Sequence, residues 1–412
     1  MKIAVIGAGV VGVSTALELA SQGHQVVVYE KGNGIAQQAS FATGGFMGAG
    51  LVNTWTYPGA VSHHLKSWLT NQSAIHINEP TKLPFSWLWQ WARACQNSQV
   101  HLQFSSLQRL AFYSQETFKS ITEKFGLSYE SSQGTLLICR DEDDFKSVER
   151  QLSSLKEVGI AFKNLSADEA RHIEPALSAE TKLAGAVFFP NDKVANCRQF
   201  TLLAKQEAEQ LGVIFKSGVE VLPLSKSQPL NIQISGSPDE IYEHVVVCAG
   251  IQSKKLVSKL GIHLPIEAIY GYTLSAALRE EMDSPTFGVC DAKHQVGITR
   301  SGQRIRVSGV FEFGSSEKSN NANTKLLFKV LNDWFPGSAR IHENVQLWRA
   351  CRDVVCDGVP IIGLSGVPGV WLNTGHGNHG WACSSGSARA IADMVSSREC
   401  EIDLKGLGIE RF

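Results

Sequence analysis

The sequence predicts two interleaved domains: an α/β domain around a parallel sheet, and an α+β domain on a mixed or antiparallel sheet with helices. Three observations predict this fold class. A short apolar strand, a glycine turn and a helix open the chain; a second glycine turn leads into a helix near its end; and residues 266–313 hold apolar runs separated by turn signals. The two glycine-rich ends are therefore expected to build one domain, with the other inserted between them.

Composition excludes several classes of protein. The chain has 412 residues, a formal net charge of −1 and 43% hydrophobic residues, which is a globular composition. It has no basic excess to neutralise phosphates, so no nucleic-acid partner is predicted. No apolar run approaches the roughly 18 residues that span a bilayer. We therefore expect a cytoplasmic protein, with peripheral contact at the inner face of the cell membrane left open. Nine irregularly spaced cysteines predict reduced thiols and no metal site.

The first element is a β-branched apolar run at residues 2–6, followed by Gly7-Ala8-Gly9-Val10-Val11-Gly12. Gly7 permits a tight turn, Gly9 lets the backbone approach a pyrophosphate, and Gly12 lets the next helix pack close on the strand. The helix N-terminus offers free N–H groups to phosphates. We interpret this unit as a dinucleotide site; a glycine turn that serves packing alone is the alternative.

The second strand, residues 25–29, ends in Glu30, and Lys31 follows. A carboxylate at this position accepts hydrogen bonds from both ribose hydroxyls of an adenosine. It would also repel a 2′-phosphate, which argues against NADP.

A small-residue run at residues 40–50 comes next, where a regular βαβ unit would continue in most NAD enzymes. Its residues Ser40, Thr43, Gly44 and Gly45 would let the backbone pass close to a flat ring system. A flexible loop is the alternative.

The middle of the chain carries the remaining strands and helices. Residues 54–130 are Trp-rich and helical in pattern, and the polar stretch 315–323 predicts an exposed loop. The strand at 244–248 ends in Ala249 and Gly250, small residues that suit the edge of a parallel sheet beside a cofactor.

Near the C-terminus, a strand at 370–373 leads into Gly375-His376-Gly377-Asn378-His379-Gly380 and then a helix over 381–397. This turn aims a second helix N-terminus at the cofactor. A reduced flavin carries negative charge near N1 and the C2 carbonyl, so a flavin gains from that dipole and a nicotinamide does not. The pattern favours FAD, with an NAD dehydrogenase as a weaker alternative.

The combined motifs resemble the FAD-dependent D-amino acid oxidase superfamily, and within it the bacterial D-amino acid dehydrogenases. The matching segments span nearly the whole chain: residues 5–13, Trp55 with Pro58-Gly59, 134–136, 174–177, 190–192, Gly271-Tyr272, 304–307, 357–360, 371–377 and Gly380-Trp381. The resemblance implies a Rossmann-like FAD-binding domain with a glutathione-reductase-like parallel sheet. We assign residues 1–53, 192–262 and 342–412 to it, and 54–191 and 263–341 to the substrate domain.

The chain departs from the family around the expected substrate site. The family segment Gly-x-Arg-Pro-x-Thr-Pro corresponds to Ala350-Cys351-Arg352-Asp353-Val354-Val355-Cys356, which keeps only the arginine. The family's Asn-Ala-Gly is Thr43-Gly44-Gly45, a family lysine is Tyr270, and His379 replaces a residue that is usually apolar. These differences bear on substrate identity more than on reaction class.

The resemblance implies oxidative deamination of an amino acid, most of all a D-amino acid, to the keto acid and ammonia. Hydride would pass from the α-carbon to N5 of a non-covalently bound FAD, and the electrons to a quinone or another acceptor. Two alternatives stay open: an oxidase that uses O₂ on glycine, sarcosine or a cyclic imino acid, and a non-catalytic flavin-binding protein. The sequence does not fix the oligomeric state.

Four residues are candidates for contact with the substrate. A carboxylate substrate needs a cation, and Arg352 is the first candidate because a guanidinium binds both carboxylate oxygens. Of Tyr270 and Tyr272, separated by Gly271, one is expected to line the site and bind the carboxylate or close the pocket. His376 is expected to contact cofactor or substrate. The predicted cofactor residues are Gly7, Gly9, Val10, Val11, Gly12, Glu30, Lys31, Ser40, Thr43, Gly44, Gly45, Val219, Ala249, Gly250, Gly375, His376, Gly377, Asn378, His379 and Gly380.

Overall fold

The structure is a computed structural model that describes residues 1–62, 75–77, 83–227, 229–313 and 321–412. Its strands, in chain order, are β1 (Lys2–Ile6), β2 (Gln25–Glu30), β3 (Ile75–Ile77), β4 (Ser131–Cys139), β5 (Lys163–Ser166), β6 (Gly185–Ala195), β7 (Ile214–Ser217), β8 (Leu230–Ile234), β9 (Ser237–Tyr242), β10 (His244–Val247), β11 (Ile266–Ala277), β12 (Gly288–Asp291), β13 (Val296–Ser301), β14 (Arg304–Phe313), β15 (Gln346–Val355), β16 (Ile361–Leu364) and β17 (Val370–Thr374).

The α-helices of the described residues are α1 (Val10–Ser21), α2 (Phe85–Ala94), α3 (Asn97–Phe125), α4 (Glu142–Glu157), α5 (Ala167–Ile173), α6 (Cys197–Gln210), α7 (Ser253–Val257), α8 (Asn321–Trp334) and α9 (Gly380–Val395). The predicted exposed loop at 315–323 lies outside the described residues as far as position 320, and its last three residues begin α8.

The first sheet has the strand order β16–β17–β10–β1–β2–β7, and all neighbours are parallel except β16 and β17. β1 lies near the middle, and four of its five residues are fully or almost fully buried, as a β-branched apolar run in a sheet covered on both faces should be. The carboxyl ends of β1, β2, β10 and β17 therefore meet at one edge. This register brings the glycine turns from both ends of the chain together.

The second sheet has the order β15–β11–β14–β13–β12–β4–β6–β5, with β3 pairing onto β14. Its pairs are antiparallel apart from β12 with β4 and β3 with β14, which confirms the predicted mixed sheet. β11 contains an irregularity between Gly271 and Tyr272, where its register against β14 shifts.

Helices α1, α3, α6 and α9 pack together over one face of the parallel sheet. Their shared core includes Phe118, Phe200 and Trp381, whose rings lie 4.8–5.1 Å apart. Helix α9 directly follows the C-terminal glycine turn. Its packing on α3, which comes from an earlier part of the chain, therefore fixes the position of that turn relative to the parallel sheet.

Sheet membership bears on the domain boundaries. The first sheet draws strands from residues 2–30, 214–247 and 361–374, and the second from 75–77, 131–195 and 266–355. The predicted segment 342–412 therefore includes β15, a strand of the second sheet. We propose, from sheet membership, that this segment of the dinucleotide domain begins after residue 355.

Candidate functional site

A cavity of about 1270 Å³ lies at the carboxyl edge of the parallel sheet, where that edge faces the second sheet. Its walls include the turn after β1, the ends of β2, β10 and β17, the loop after β2, and residues of β14 and β15. Single small-molecule sites hold about 300–1,000 Å³. The cavity thus has room for a large cofactor and a small substrate.

The glycine turn after β1 is fixed by steric contacts. Gly7 has φ +106°, and a Cβ there would lie 2.4 Å from the carbonyl oxygen of Cys248. A Cβ on Gly12 would lie 1.9 Å from the carbonyl oxygen of Gly7. Neither position can carry a side chain without a backbone shift, so both glycines are required for the turn and for the close packing of α1.

Ser40 connects the small-residue run to the start of α1. Its buried hydroxyl oxygen accepts a hydrogen bond from the Val10 N–H at 3.0 Å. A Cβ on Gly9 would lie 3.3 Å from that oxygen, so the chain is close here as well. Ser40 thereby holds the N-terminus of α1 against the cavity, where its positive dipole end favours an anion.

Glu30 lies at the end of β2 with both carboxylate oxygens held in place. Oε2 accepts the Ala8 N–H at 2.9 Å, and Oε1 accepts the Gly32 N–H at 2.8 Å. Each oxygen retains a second lone-pair direction for a ribose hydroxyl. The Glu30 carbonyl also accepts the Val219 N–H at 2.9 Å, which places Val219 beside it in the cavity wall.

The small-residue run packs against the second sheet. Cβ atoms on Gly44, Gly48 and Gly50 would lie 2.1 Å from Ser308 Oγ, 1.9 Å from Asp192 Cγ and 2.3 Å from a Phe189 ring carbon. Close packing against the second sheet therefore requires glycine at these positions, which also line the cavity.

Two histidines lie in the C-terminal turn. His376 is buried, and its Nε2 is 3.1 Å from Ser387 Oγ on α9. His379 Nε2 is 2.7 Å from the carbonyl oxygen of Asn53. Burial lowers the pKa of His376 to about 3 and that of His379 to about 4. Both rings are therefore neutral near pH 7.

Arg352 enters the cavity from β15. Its guanidinium passes over Gly271, where a Cβ would lie 1.8 Å from Nη1, and its Cζ lies 5.4 Å from the Phe311 ring centroid. Nη1 is 3.4 Å from Asn378 Oδ1. Burial lowers the pKa of Arg352 to about 10, which still leaves it protonated at neutral pH. No acidic side chain among the described residues forms an ion pair with it, so its charge is open to an anionic ligand.

Asp353, the next residue, stabilises the C-terminal turn through hydrogen bonds. Its Oδ2 accepts the Gly375 N–H at 2.5 Å and the Thr374 hydroxyl at 3.0 Å. Burial raises the pKa of this carboxyl. A residue of the second sheet thus holds the end of β17, at a position where the sequence departs from its family pattern.

A family model described as FAD dependent oxidoreductase matches residues 2–394. The chain belongs to this family. It is 34% identical to a D-amino acid dehydrogenase of Sinorhizobium medicae (strain WSM419) over 418 residues, covering all of both chains. Solved structures agree on the fold: glycine oxidase from Geobacillus kaustophilus, 20% identical, superposes with a TM-score of 0.78 over 100% of this chain and 98% of that one. L-proline dehydrogenase from P. horikoshii, 17% identical, gives 0.75 over 100% and 97%.

The residues of this FAD dependent oxidoreductase fit its cofactor. The turn of Gly7 and Gly9 leaves backbone space for a pyrophosphate, and Glu30 presents acceptors for a ribose. Asn373 contributes a buried side-chain oxygen in the cavity wall that has no hydrogen-bond partner among the described residues. The cofactor is FAD, which confirms the flavin over the nicotinamide.

The structure brings most of the predicted cofactor residues of the oxidoreductase to one cavity. The predicted residues in its wall are Gly7, Gly9, Val10, Val11, Glu30, Lys31, Ser40, Thr43, Gly44, Gly45, Val219, Ala249, Gly250, Arg352, His376, Gly377, Asn378, His379 and Gly380. Gly12 and Gly375 lie behind that wall. Gly12 packs on the turn, and Gly375, with φ +78°, donates to Asp353.

The expectation that Tyr270 or Tyr272 lines the site is not supported, since neither belongs to the cavity wall. The Tyr272 hydroxyl donates to Glu312 Oε1 at 2.7 Å inside the core of the second sheet. The guanidinium of Arg349 lies 3.7 Å from the Tyr270 ring centroid and 5.9 Å from that of Tyr272. Residues two apart on a strand share a face, and this face looks away from the cavity.

Several residues of the cavity wall were not predicted from the sequence. Phe311 on β14 and Asp353 on β15 face the cavity. These strands pair with segments that are distant in the sequence, so local patterns do not show which side chains reach the site. Trp55 also lines it; its ring lies 5.2 Å from that of Phe313, and its Nε1 donates to the Val355 carbonyl at 3.2 Å. Trp55 belongs to a segment that resembles the family, and this resemblance was the only sequence feature that pointed to it.

Two features are absent from the described part of the chain. No cluster of three or more His, Cys, Asp or Glu side chains could hold a metal ion there. None of the helices described has the length and apolar character needed to cross a membrane.

Proposed function

We propose that this protein catalyses the oxidative deamination of an amino acid, with D-amino acids as the first class to test, to the keto acid and ammonia. The main support for this proposal is the position of Arg352, a cation in the cavity wall that has no acidic partner among the described residues. The relative named D-amino acid dehydrogenase, similar over its whole length, supports the substrate class.

Arg352 would bind the substrate carboxylate through two parallel N–H···O hydrogen bonds, since its planar guanidinium matches a carboxylate. Low-dielectric surroundings, including the ring of Phe311, strengthen that attraction relative to water. A carboxylate fixed in this way limits where the α-carbon can lie, and orientation of this kind is a large part of catalysis.

FAD, when bound, supplies the two-electron acceptor for hydride from the α-carbon and passes the electrons on to a quinone or another acceptor. The chain itself supplies position and charge. Burial lowers the pKa of His376 to about 3 and that of His379 to about 4, far below that of an ammonium ion, so neither imidazole is basic enough to remove its proton. We infer that the substrate reacts as the neutral amine, its proton having passed to solvent, and that water hydrolyses the imine product to the keto acid and ammonia after the carbon–hydrogen bond has broken.

Anaerobic mixing of the purified holoprotein with D- and L-amino acids, glycine, sarcosine and proline tests this proposal. We expect the visible flavin absorbance to bleach with D-amino acids. Bleaching by glycine, sarcosine or a cyclic imino acid instead, together with peroxide formation in air, would favour the oxidase alternative. A spectrum that no amino acid changes would refute the enzyme and favour a flavin-binding protein without catalysis.

A quinone acceptor would require approach to the cell membrane, and we propose a peripheral contact there through α2. Its support is an exposed apolar pair: Phe85 is 83% exposed and Trp89 56% exposed, one helical turn apart. Aromatic side chains of this kind favour the membrane interface. Co-sedimentation with anionic lipid vesicles should be weakened by the double substitution Phe85→Ser and Trp89→Ser; unchanged sedimentation would refute this contact.

A further inference from the structure

His379 is placed to do more than support a loop. It lies in the cavity wall, one residue from Asn378, whose side chain is within 3.4 Å of the Arg352 guanidinium. The charge of Arg352 also acts on the His379 ring, lowering its pKa further after the larger effect of burial. The imidazole and the guanidinium therefore share one region of the cavity.

The hydrogen bond to Asn53 determines the tautomer of His379. A carbonyl oxygen only accepts hydrogen bonds, so the nitrogen 2.7 Å from it, Nε2, must carry the proton. The ring is neutral, so Nδ1 carries a lone pair and no proton. No described residue donates a hydrogen bond to Nδ1. Nδ1 is therefore an acceptor that no described residue uses, on a ring that is within the electrostatic influence of the Arg352 guanidinium.

A neighbouring pair of this kind matches the two charged groups of an amino acid. A guanidinium binds the carboxylate, whereas an unprotonated imidazole nitrogen cannot, because it has no proton to donate. It can accept from an N–H group, and the α-amino group is bonded to the carbon that carries the carboxylate.

We propose that His379 recognises the α-amino group of the substrate, accepting a hydrogen bond from it at Nδ1 while Arg352 binds the carboxylate. The inference rests on the proposed function, since it assumes an amino acid in this cavity. His379, which differs from the residue usual in the family, would then distinguish an amino acid from a carboxylic acid of the same shape.

Two substitutions separate this role from that of a loop support. His379→Gln can place its amide nitrogen near the position of Nε2 and keep the bond to Asn53, but it loses the acceptor at the Nδ1 position. His379→Asn keeps an oxygen acceptor near Nδ1 and loses the bond to Asn53. The two variants therefore remove one function each.

Calorimetric titration of the holoprotein, reduced beforehand and kept anaerobic so that its flavin cannot oxidise the ligand, supplies the test with D-alanine and with propionate, its analogue without the amine, after the FAD content has been checked. For His379→Gln we expect an unchanged Kd for propionate and a Kd for D-alanine raised by about 10- to 100-fold, the effect of one hydrogen bond to a charged or polar donor. For His379→Asn we expect the ratio of the two constants to stay near that of the wild type.

Three results would overturn the inference: wild-type protein that binds D-alanine no better than propionate, a His379→Gln variant with the wild-type ratio of the two constants, or a His379→Asn variant whose ratio changes as much as that of His379→Gln. The last two would leave the proposed function intact if amino acids still bleach the flavin. A wild-type flavin that no amino acid bleaches would instead refute the proposed function itself.

Discussion

Gly271 is the residue whose substitution tests the role of Arg352 with least damage to the fold. An added Cβ would lie 1.8 Å from Arg352 Nη1 and 2.9 Å from its Cζ. Both atoms are at the far end of a flexible side chain, so Gly271→Ala should displace the guanidinium rather than the backbone. Gly271 has a backbone conformation that alanine adopts without strain, since its φ lies outside the left-handed region.

The displacement must exceed 1 Å, because carbon and nitrogen atoms in contact are separated by well over 3 Å. A shift of that size removes a bidentate pairing with a carboxylate. Loss of a buried charged partner costs roughly 2–5 kcal/mol, which corresponds to an increase in KM of about 30-fold or more. Arg352→Ala should raise KM to at least a similar extent.

Steady-state kinetics with an amino acid substrate and a dye acceptor measure this effect, with bound FAD and thermal stability measured on the same samples. Gly126→Ala is a matched control, because nothing lies within 4 Å of a Cβ at the C-terminal end of α3, although its φ of +60° costs some stability. An unchanged KM in Gly271→Ala, with FAD retained, would refute the assignment of Arg352 to the carboxylate.

Three further predictions concern the supporting structure. Gly12→Ala should purify with little FAD and a lower melting temperature, because its methyl group meets backbone; retained FAD would contradict this. Tyr272→Phe should lower the free energy of unfolding by about 1–3 kcal/mol, through the lost bond to Glu312, and leave KM unchanged; a raised KM would restore its predicted contact with substrate. Burial raises the pKa of Asp291, but hydrogen bonds, the largest from His294, outweigh that effect and hold the pKa at about 2. Because folding lowers the pKa of Asp291, its ionised carboxylate stabilises the folded protein by about 2 kcal/mol. This stabilisation is present above pH 4 and is lost as the pH falls toward 2. Denaturant titrations should show that loss, and Asp291→Asn should remove it.

Local sequence was enough to predict the dinucleotide end of the site. The turn from Gly7 to Gly12 and the carboxylate of Glu30 lie within 30 residues, and their geometry follows from the strand–turn–helix unit itself. Gly375 and the turn after it were found in the same way. Each depends on backbone conformation, which short motifs determine well.

The substrate end depends on strand pairing between distant segments, and the sequence was a weaker guide there. Nothing local shows that Tyr272 bonds to Glu312, or that Gly271 makes room for Arg352 from β15. Asp353 was noticed only as a departure from a family pattern, whereas its contact with Gly375 joins the two sheets. Pairings of this kind follow from the register of β11 between β14 and β15.

We propose that an amino acid, held by Arg352, loses the hydrogen of its α-carbon to FAD as hydride. The most direct measurement is the rate of anaerobic flavin bleaching by a D-amino acid and by the same compound deuterated at the α-carbon. We expect bleaching to be slower with the deuterated substrate, and in Arg352→Ala we expect it to be inefficient at low substrate concentration. Absence of bleaching with any amino acid would contradict it.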